Sequence, residues 1–380
     1  MALTEESTPV RVLISPDKFK GSLTATEVAA AVADGLRAVR PDVETVLRPV
    51  ADGGDGTVDA ALATGYHRVS MTAVGPTGET VDTYYAERGG QAVVELAAVV
   101  GLDLLPGGVP DAVGASTYGL GLVVDHAVSR GATNIVLGVG GSASTDGGAG
   151  MLQALGARLL DRAGREIGRG GGALADVASI DVTELSERMD GVHFLVATDV
   201  DNPLLGPTGA AAVFGPQKGA DAATVERLDT ALATWAHAVA EVRGEDLSTV
   251  PGAGAAGGTT FGALALLDAE VTPGIELVLD MIGFRRSLEN VTLVVTGEGS
   301  LDEQSLSGKA PVGVSSAARA SGTPVVAVAG RCLLSDDQLR AAGIAAAYPL
   351  SDIEPDVTTS IRDAARLLTR VGEQIAHDWL

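Results

Sequence analysis

The sequence predicts an α/β protein of two domains: one on a parallel sheet, and one inserted into it on a mixed sheet. Three observations predict this. Apolar runs of four to six residues recur and close on Gly, Asp, Ser or Thr. Helical patterns separate several of them. The stretch 69–100 instead alternates apolar and polar residues.

The runs are "RVLIS" (11–15), "VETVLRPV" (43–50), "NIVLGVGG" (134–141), "HFLVATD" (193–199), "VTLVVTGEG" (291–299) and "TPVVAVAG" (323–330). They are continuous and rich in Val and Ile, as strands buried on both faces of a parallel sheet are. Helical patterns fall at 25–39, 117–130, 150–160, 223–243 and 311–320, so strand–helix alternation implies right-handed βαβ units. The first helix has a marked start, because Thr24 and Glu27 form a T-x-x-E capping box. In 69–100 the alternation is broken by "GPTGE" and "RGGQ", which reads as antiparallel hairpins with one solvated face. The change of pattern places a domain boundary near 68. The expected division is 1–68 with 287–380 for a discontinuous first domain, and 69–286 for the inserted second one. The runs at 134–141 and 193–199 fit either sheet.

Composition narrows the function. The chain has 380 residues, 46% hydrophobic and 20% charged, an ordinary globular balance. A net charge of −23 repels nucleic acid phosphates and anionic membranes, so neither is expected as a partner. An anionic substrate would need a locally positive site. One cysteine, Cys332, excludes an internal disulfide framework and suits a cytoplasmic protein. "MALTEESTPV" has neither a basic nor an apolar leader region, and no apolar run reaches the ~18 residues of a membrane span. A homo-oligomer stays open. Of 26 basic residues only four are lysines: Lys18, Lys20, Lys218 and Lys309.

Ligands of an open parallel sheet bind outside the carboxyl ends of its strands. Those ends hold Asp17, Lys18, Lys20 and Ser22; then "ADGGDGT" with Asp52, Asp55 and Thr57; then "GGSASTDGGAG" with Ser142, Ser144, Thr145 and Asp146. Next come "TDVDNP" with Asp199, Asp201 and Asn202, and "GEGSLDEQSLSGKAP" with Glu298, Asp302, Gln304 and Lys309. Each loop alone is ordinary turn or cap chemistry. Together they offer carboxylates, ammonium groups and glycine-exposed amides. Phosphoryl transfer uses that mixture: amides hold phosphate oxygens, lysines neutralise charge, and carboxylates hold Mg²⁺ or take the proton of the attacking hydroxyl.

Other motifs fail on context. "GAGAAG" (252–257) matches G-x-G-x-x-G but follows a polar, proline-ended segment, not a strand. It reads as a turn before a helix at 259–268. "SGKA" lacks the spacing of a Walker A loop. His67, His126, His193, His237 and His377 show no metal-ligand spacing, and no Ser–His–Asp set can be assigned.

"SPDKFKGSLTATEVA", "RPVADGGDGTVDAAL", "GVGGSASTDGGAGMLQALG", "ATDVDNPLLGPTGAAAVFGPQKGA", "GAAGG" and "VVTGEGSLDEQSLSGKAPVGV" together resemble the type 1 glycerate kinase family. The resemblance runs from residue 11 to about 350, and several motifs exceed ten residues in order. It implies ATP- and Mg²⁺-dependent phosphorylation of D-glycerate, most often to 2-phosphoglycerate. It implies two α/β domains, one flavodoxin-like and one likened to restriction endonucleases. Under it, Lys18 and Lys20 are candidates to bind the glycerate carboxylate or the γ-phosphate. Asp52, Asp55 and Asp199 are candidates for the base or for Mg²⁺. Gly140, Gly141, Ser142, Ser144, Thr145 and Asp146 form a candidate phosphate cradle. Glu298, Asp302 and Lys309 would complete the nucleotide or metal side, with Asp199 and Asp302 as metal ligands. The 3-phosphate product or another small hydroxy acid stays open. An NAD-dependent 2-hydroxy acid dehydrogenase would need a fingerprint after a strand. A sugar-acid sensor would need a basic DNA-binding segment.

Overall fold

A computed structural model describes residues 10–380. The reading of the first residues as free of a leader therefore lies outside the described residues. Thirteen strands are found among them, numbered here in chain order. They are β1 (Arg11–Pro16), β2 (Glu44–Leu47), β3 (His67–Val74), β4 (Thr80–Arg88), β5 (Gln91–Glu95), β6 (Asn134–Gly138) and β7 (Arg158–Leu160), followed by β8 (Ser179–Asp181), β9 (His193–Ala197), β10 (Glu270–Thr272), β11 (Leu293–Leu301), β12 (Val325–Cys332) and β13 (Ala346–Pro349).

The chain forms two compact units. One contains residues up to Asp52, Asp59–Thr64 and Ile275–Leu380; the other contains Gly53–Val58 and Gly65–Gly274. The chain thus returns to the first unit at 274/275, where the sequence reading placed the return at 286/287.

The first unit is built on five parallel strands ordered β2-β1-β11-β12-β13. Renumbered within the unit, that is 2-1-3-4-5, the flavodoxin-like order. Val12, Leu13 and Ile14 of β1 have no exposed surface, which is why the run carries no polar alternation. Helix Ala25–Val39 starts at the expected capping box, both halves of which are formed. It packs against helix Ala364–Trp379 over a shared core of Val28, Val32, Leu36, Leu367, Leu368, Val371 and Ile375. Gly35 and Gly372 let these helices approach: a Cβ on Gly35 would strike the Thr369 carbonyl oxygen and come 2.8 Å from the Gly372 Cα.

The second unit has a six-stranded sheet ordered β10-β9-β6-β5-β4-β3. From β10 to β5 neighbours run parallel; β4 and β3 continue antiparallel. The hairpin grammar of 69–100 and the parallel grammar downstream therefore meet at β5. The runs at 134–141 and 193–199 supply β6 and β9, so both belong to this sheet. The core centres on Tyr85, Leu120, Leu137, Trp235 and Phe261. Most helical expectations correspond to Tyr118–Ser129, Ala222–Arg243 and Ala310–Arg319. The helix expected over 150–160 is corrected: it ends at Ala154. Gly156 takes a φ of 110°, and the chain leaves as β7, paired antiparallel to β8. Leu159 was thus apolar for a strand, not for a last helical turn.

A methyl group at Gly35 tests the helix pair. Gly35→Ala is expected to lower unfolding stability by about 2–3 kcal/mol in denaturant titration, since the atoms in its way are backbone.

Candidate active site

In the first unit, the strand order reverses between β1 and β11. In such sheets, the crevice at that switch point, beyond the carboxyl ends, is where ligands bind. Asp17 follows β1 there. Its amide extends the sheet by donating to the Gly297 carbonyl (2.7 Å), and its Oδ1 accepts from the Lys18 amide (2.6 Å). The side chain is buried. Burial pushes the Asp17 carboxyl up to about 7; the charges of Asp52 and Glu298 add to this, and Lys18 opposes it.

Glu298 belongs to β11. Burial raises its carboxyl too, against the Ser305 hydroxyl, which donates to it, and the charge of Lys309. Asp302 caps the end of the strand: its Oδ1 accepts from the Gln304 amide (3.0 Å) and its Oδ2 from the Ser300 hydroxyl (3.3 Å). Lys309 reaches Gln304 Oε1 at 3.4 Å. Lys20 is exposed at the tip of a tight turn closed by Phe19 and Leu23, whose amides and carbonyls pair at 2.9 and 3.0 Å. The turn crosses Gly299, where a Cβ would lie 3.5 Å from the Lys20 backbone nitrogen. The start of the adjoining helix carries the capping box. The Glu27 carboxylate accepts from the Thr24 amide (2.8 Å) and hydroxyl (2.9 Å), and Thr24 Oγ1 takes the Glu27 amide.

The second unit gathers its glycine loops over β5, β6 and β9. Glu95, at the end of β5, accepts from the Gly56 amide (3.1 Å to each oxygen) and the Val58 amide (3.3 Å). This holds the Gly53–Val58 loop, and with it half-buried Gly54 and exposed Asp55, against the sheet. Burial pushes Glu95 up to about 7, with the neighbouring Asp55 charge adding to it. A Cβ on Gly140 would lie 2.8 Å from the Gly54 Cα, so the two glycine loops touch.

Of the expected phosphate cradle, Gly140 and Gly141 reach the surface, whereas Ser142, Ser144, Thr145 and Asp146 are interior. Asp146 is bound by five donors: the Ser116 hydroxyl (3.2 Å), the Thr117 amide (2.7 Å) and hydroxyl (2.9 Å), and the amides of Gly148 (3.3 Å) and Gly150 (3.2 Å). It holds the loop in shape. Exposed Asp199 accepts from the Gly274 amide at 2.7 Å.

The structure thus brings Asp17, Lys18, Asp52, Glu298, Asp302 and Lys309 into one electrostatic neighbourhood. It does not bring Asp199 and Asp302 into one unit. Among the described residues, no group of three or more His, Cys, Asp or Glu side chains is arranged to hold a metal ion. No helix among them is long and apolar enough to cross a membrane. Sequence reasoning passed over Asp17, which it noted without a role, and missed Glu95 entirely. The signal for Glu95 was an isolated acid inside the apolar stretch "VVELAAVV".

Asp17 makes a pH-dependent stability contribution. The folded carboxyl keeps its proton to about pH 7, whereas an unfolded aspartate loses it near pH ~4. Between those values the native state binds more protons, so this contribution falls as pH rises and is lowest above 7. Asp17→Asn, which keeps an acceptor for the Lys18 amide, is expected to raise stability at pH 8 by about 2–4 kcal/mol and to change it little at pH 4. An equal effect at both pH values in chemical denaturation would contradict the burial argument.

Three comparisons converge. The model of the glycerate kinase family matches residues 12–380. The chain is 44% identical to the glycerate 2-kinase of Escherichia coli strain K12 over 332 residues, covering 86% of each protein. It is 42% identical to a glycerate kinase of Halalkalibacterium halodurans, covering 96% of this chain and 97% of that one. A crystal structure from Salmonella typhimurium LT2, assigned as glycerate kinase 2, superposes with a TM-score of 0.86 at 39% identity, covering 98% of both chains. The chain belongs to the glycerate kinase family, kinases that use an alcohol group as phosphoryl acceptor.

Proposed function

We propose that this protein transfers the γ-phosphoryl group of ATP to the 2-hydroxyl of D-glycerate, giving 2-phosphoglycerate and ADP. The observation that carries the reading is the β1/β11 switch point, where two lysines and four carboxylates influence one another in a strongly acidic protein. The choice of the 2-hydroxyl follows the Escherichia coli relative, which is a glycerate 2-kinase.

In this reading, Lys18 and Lys20 supply the local positive charge that a small hydroxy-acid anion needs here. Asp52, half-buried beside Asp17 and Glu298, accepts the hydroxyl proton. The freed oxygen forms its bond to the γ-phosphorus as the bond to the β–γ bridging oxygen breaks, and ADP leaves. The transition state is loose, so positioning and charge stabilisation supply most of the rate. Lys309 lies on the same loop as Asp302 and faces the charge of Glu298, where it would balance phosphate oxygens. In the second unit, amides for phosphate would come from the Gly140–Gly141 shoulder, against which the Gly53–Val58 loop packs. Asp55 and Asp199 stand at their edges.

Magnesium fits this donor set. Its partners would be hard carboxylate oxygens of Glu298 and Asp302 on one unit or of Asp199 on the other, one or two at a time. The ion commonly takes its remaining ligands from phosphates and water, so a full protein cage is not required. When bound it neutralises charge on the phosphate oxygens.

Incubation with ATP, Mg²⁺ and D-glycerate is expected to yield ADP and a 2-phosphate ester, identified by phosphorus NMR. A 3-phosphate ester would overturn the regiochemistry, and no ADP with glycerate or near analogues would overturn the kinase assignment. Lys20→Ala and Asp199→Ala are each expected to lower kcat/KM by at least ~100-fold with the fold intact by circular dichroism. Near-wild-type kinetics in either variant removes that residue from the site.

A further inference from the structure

Lys218 is the least expected side chain in the second unit. It has 1% of its surface exposed, in a chain that has only four lysines. The motif "PQKGA" buries it through a short turn, Pro216–Lys218, closed by Gly219 in the left-handed region. Its Nζ donates to the Ser144 carbonyl oxygen. It also lies against the segment Ala256–Gly258, whose three residues all take positive φ. Gly257 is needed at that contact. Its φ is 67°, and a Cβ there would strike the Ser144 carbonyl and come 2.8 Å from the Thr145 Cα and 2.9 Å from Lys218 Nζ. Ser142 ties the same two segments together, since its hydroxyl lies 3.3 Å from the Ala256 carbonyl oxygen and 3.1 Å from the Ser144 hydroxyl.

No carboxylate among the described residues lies within ion-pairing distance of Lys218. The one charged group acting on it is Asp146, whose oxygens are already engaged by five donors. A buried ammonium without an ion pair destabilises the fold that contains it, and an apolar side chain of similar length is usually tolerated better. Burial accordingly pushes the amine down to about 7. Retaining such a group at a stability cost marks functional sites more often than architectural ones.

We propose that Lys218 is a positioning residue of the phosphoryl-transfer site. It acts through the Ser142–Ser144 carbonyl and hydroxyl network to set the Gly140–Gly141 shoulder, which reaches the surface, against an anionic substrate group. The inference rests on the kinase reading and names a residue that reading does not use. A neutral side chain in its place leaves the shoulder without that setting. The protein is then less active and no less stable. An architectural role requires the opposite pairing, with activity and stability falling together.

The test compares Lys218→Met with Lys218→Gln, which keeps a donor for the Ser144 carbonyl, in the full chain at pH 6, where the wild-type amine is largely protonated. Glycerate-dependent ADP release and thermal unfolding are measured on the same preparations. The expected result is a loss of at least ~30-fold in kcat/KM for Lys218→Met, most of it in kcat, with a Tm equal to or above wild type. Lys218→Gln is expected to recover part of that loss. Wild-type kinetics in the Met variant overturns the proposal. So does a fall in Tm that tracks the loss of activity, or a failure of both variants to fold. An inactive wild-type protein would instead remove the kinase reading on which the proposal rests.

Discussion

Five donors converge on the carboxylate of Asp146, and the second unit's loop structure depends on that convergence. The Thr117 amide and hydroxyl start one helix from it, and the Gly148 and Gly150 amides start the next. Thr117 Oγ1 in turn accepts the Met151 amide at 2.9 Å. A buried carboxylate is costly in a low dielectric unless its lone pairs are filled. Here they are filled mostly by groups that would otherwise be orphan donors at helix starts. The same contacts therefore stabilise the charge and shape the loop that ends at Gly140–Gly141.

The first unit solves a different problem. In the proposed reading it would hold an anion within a chain of net charge −23. Its solution is local: Lys18, Lys20 and Lys309 sit on the loops after β1 and β11, the pair of strands where the sheet order reverses. Burial beside them raises the carboxyl of Glu298 and pushes that of Asp17 up to about 7, so the Asp17 charge is partly suppressed at neutral pH. That lowers the electrostatic barrier to an anionic substrate.

Much of the fold was legible because both-face burial leaves a plain mark: "RVLIS" and "TPVVAVAG" have no polar alternation to hide them. The capping box Thr24–Glu27 was legible because it is a local device. The membership of β6 and β9 was not, since a strand buried on both faces reads the same in either sheet. The premature end of the 150–160 helix depends on one glycine, Gly156, and on an antiparallel partner 20 or so residues away in the chain. In the candidate site, lysine scarcity and strand-end loops pointed to the segments that the proposed function uses. They did not separate groups that face solvent from groups that hold the loop. Ser144 and Asp146 belong to the second kind, and only tertiary packing from Ser116, Thr117 and Ala256–Gly258 shows it. Glu95 escaped for the same reason: its partners, Gly56 and Val58, lie almost forty residues earlier.

Native-state hydrogen exchange at the Thr117, Gly148 and Gly150 amides tests the Asp146 convergence most directly. If that carboxylate holds the second unit's loops, these three amides exchange only by the largest unfolding event seen for that unit. They then lose protection together in Asp146→Asn, which has one acceptor oxygen where the wild type has two. Exchange at wild-type Gly148 and Gly150 through local fluctuations, with protection orders of magnitude below that of β6, would contradict it.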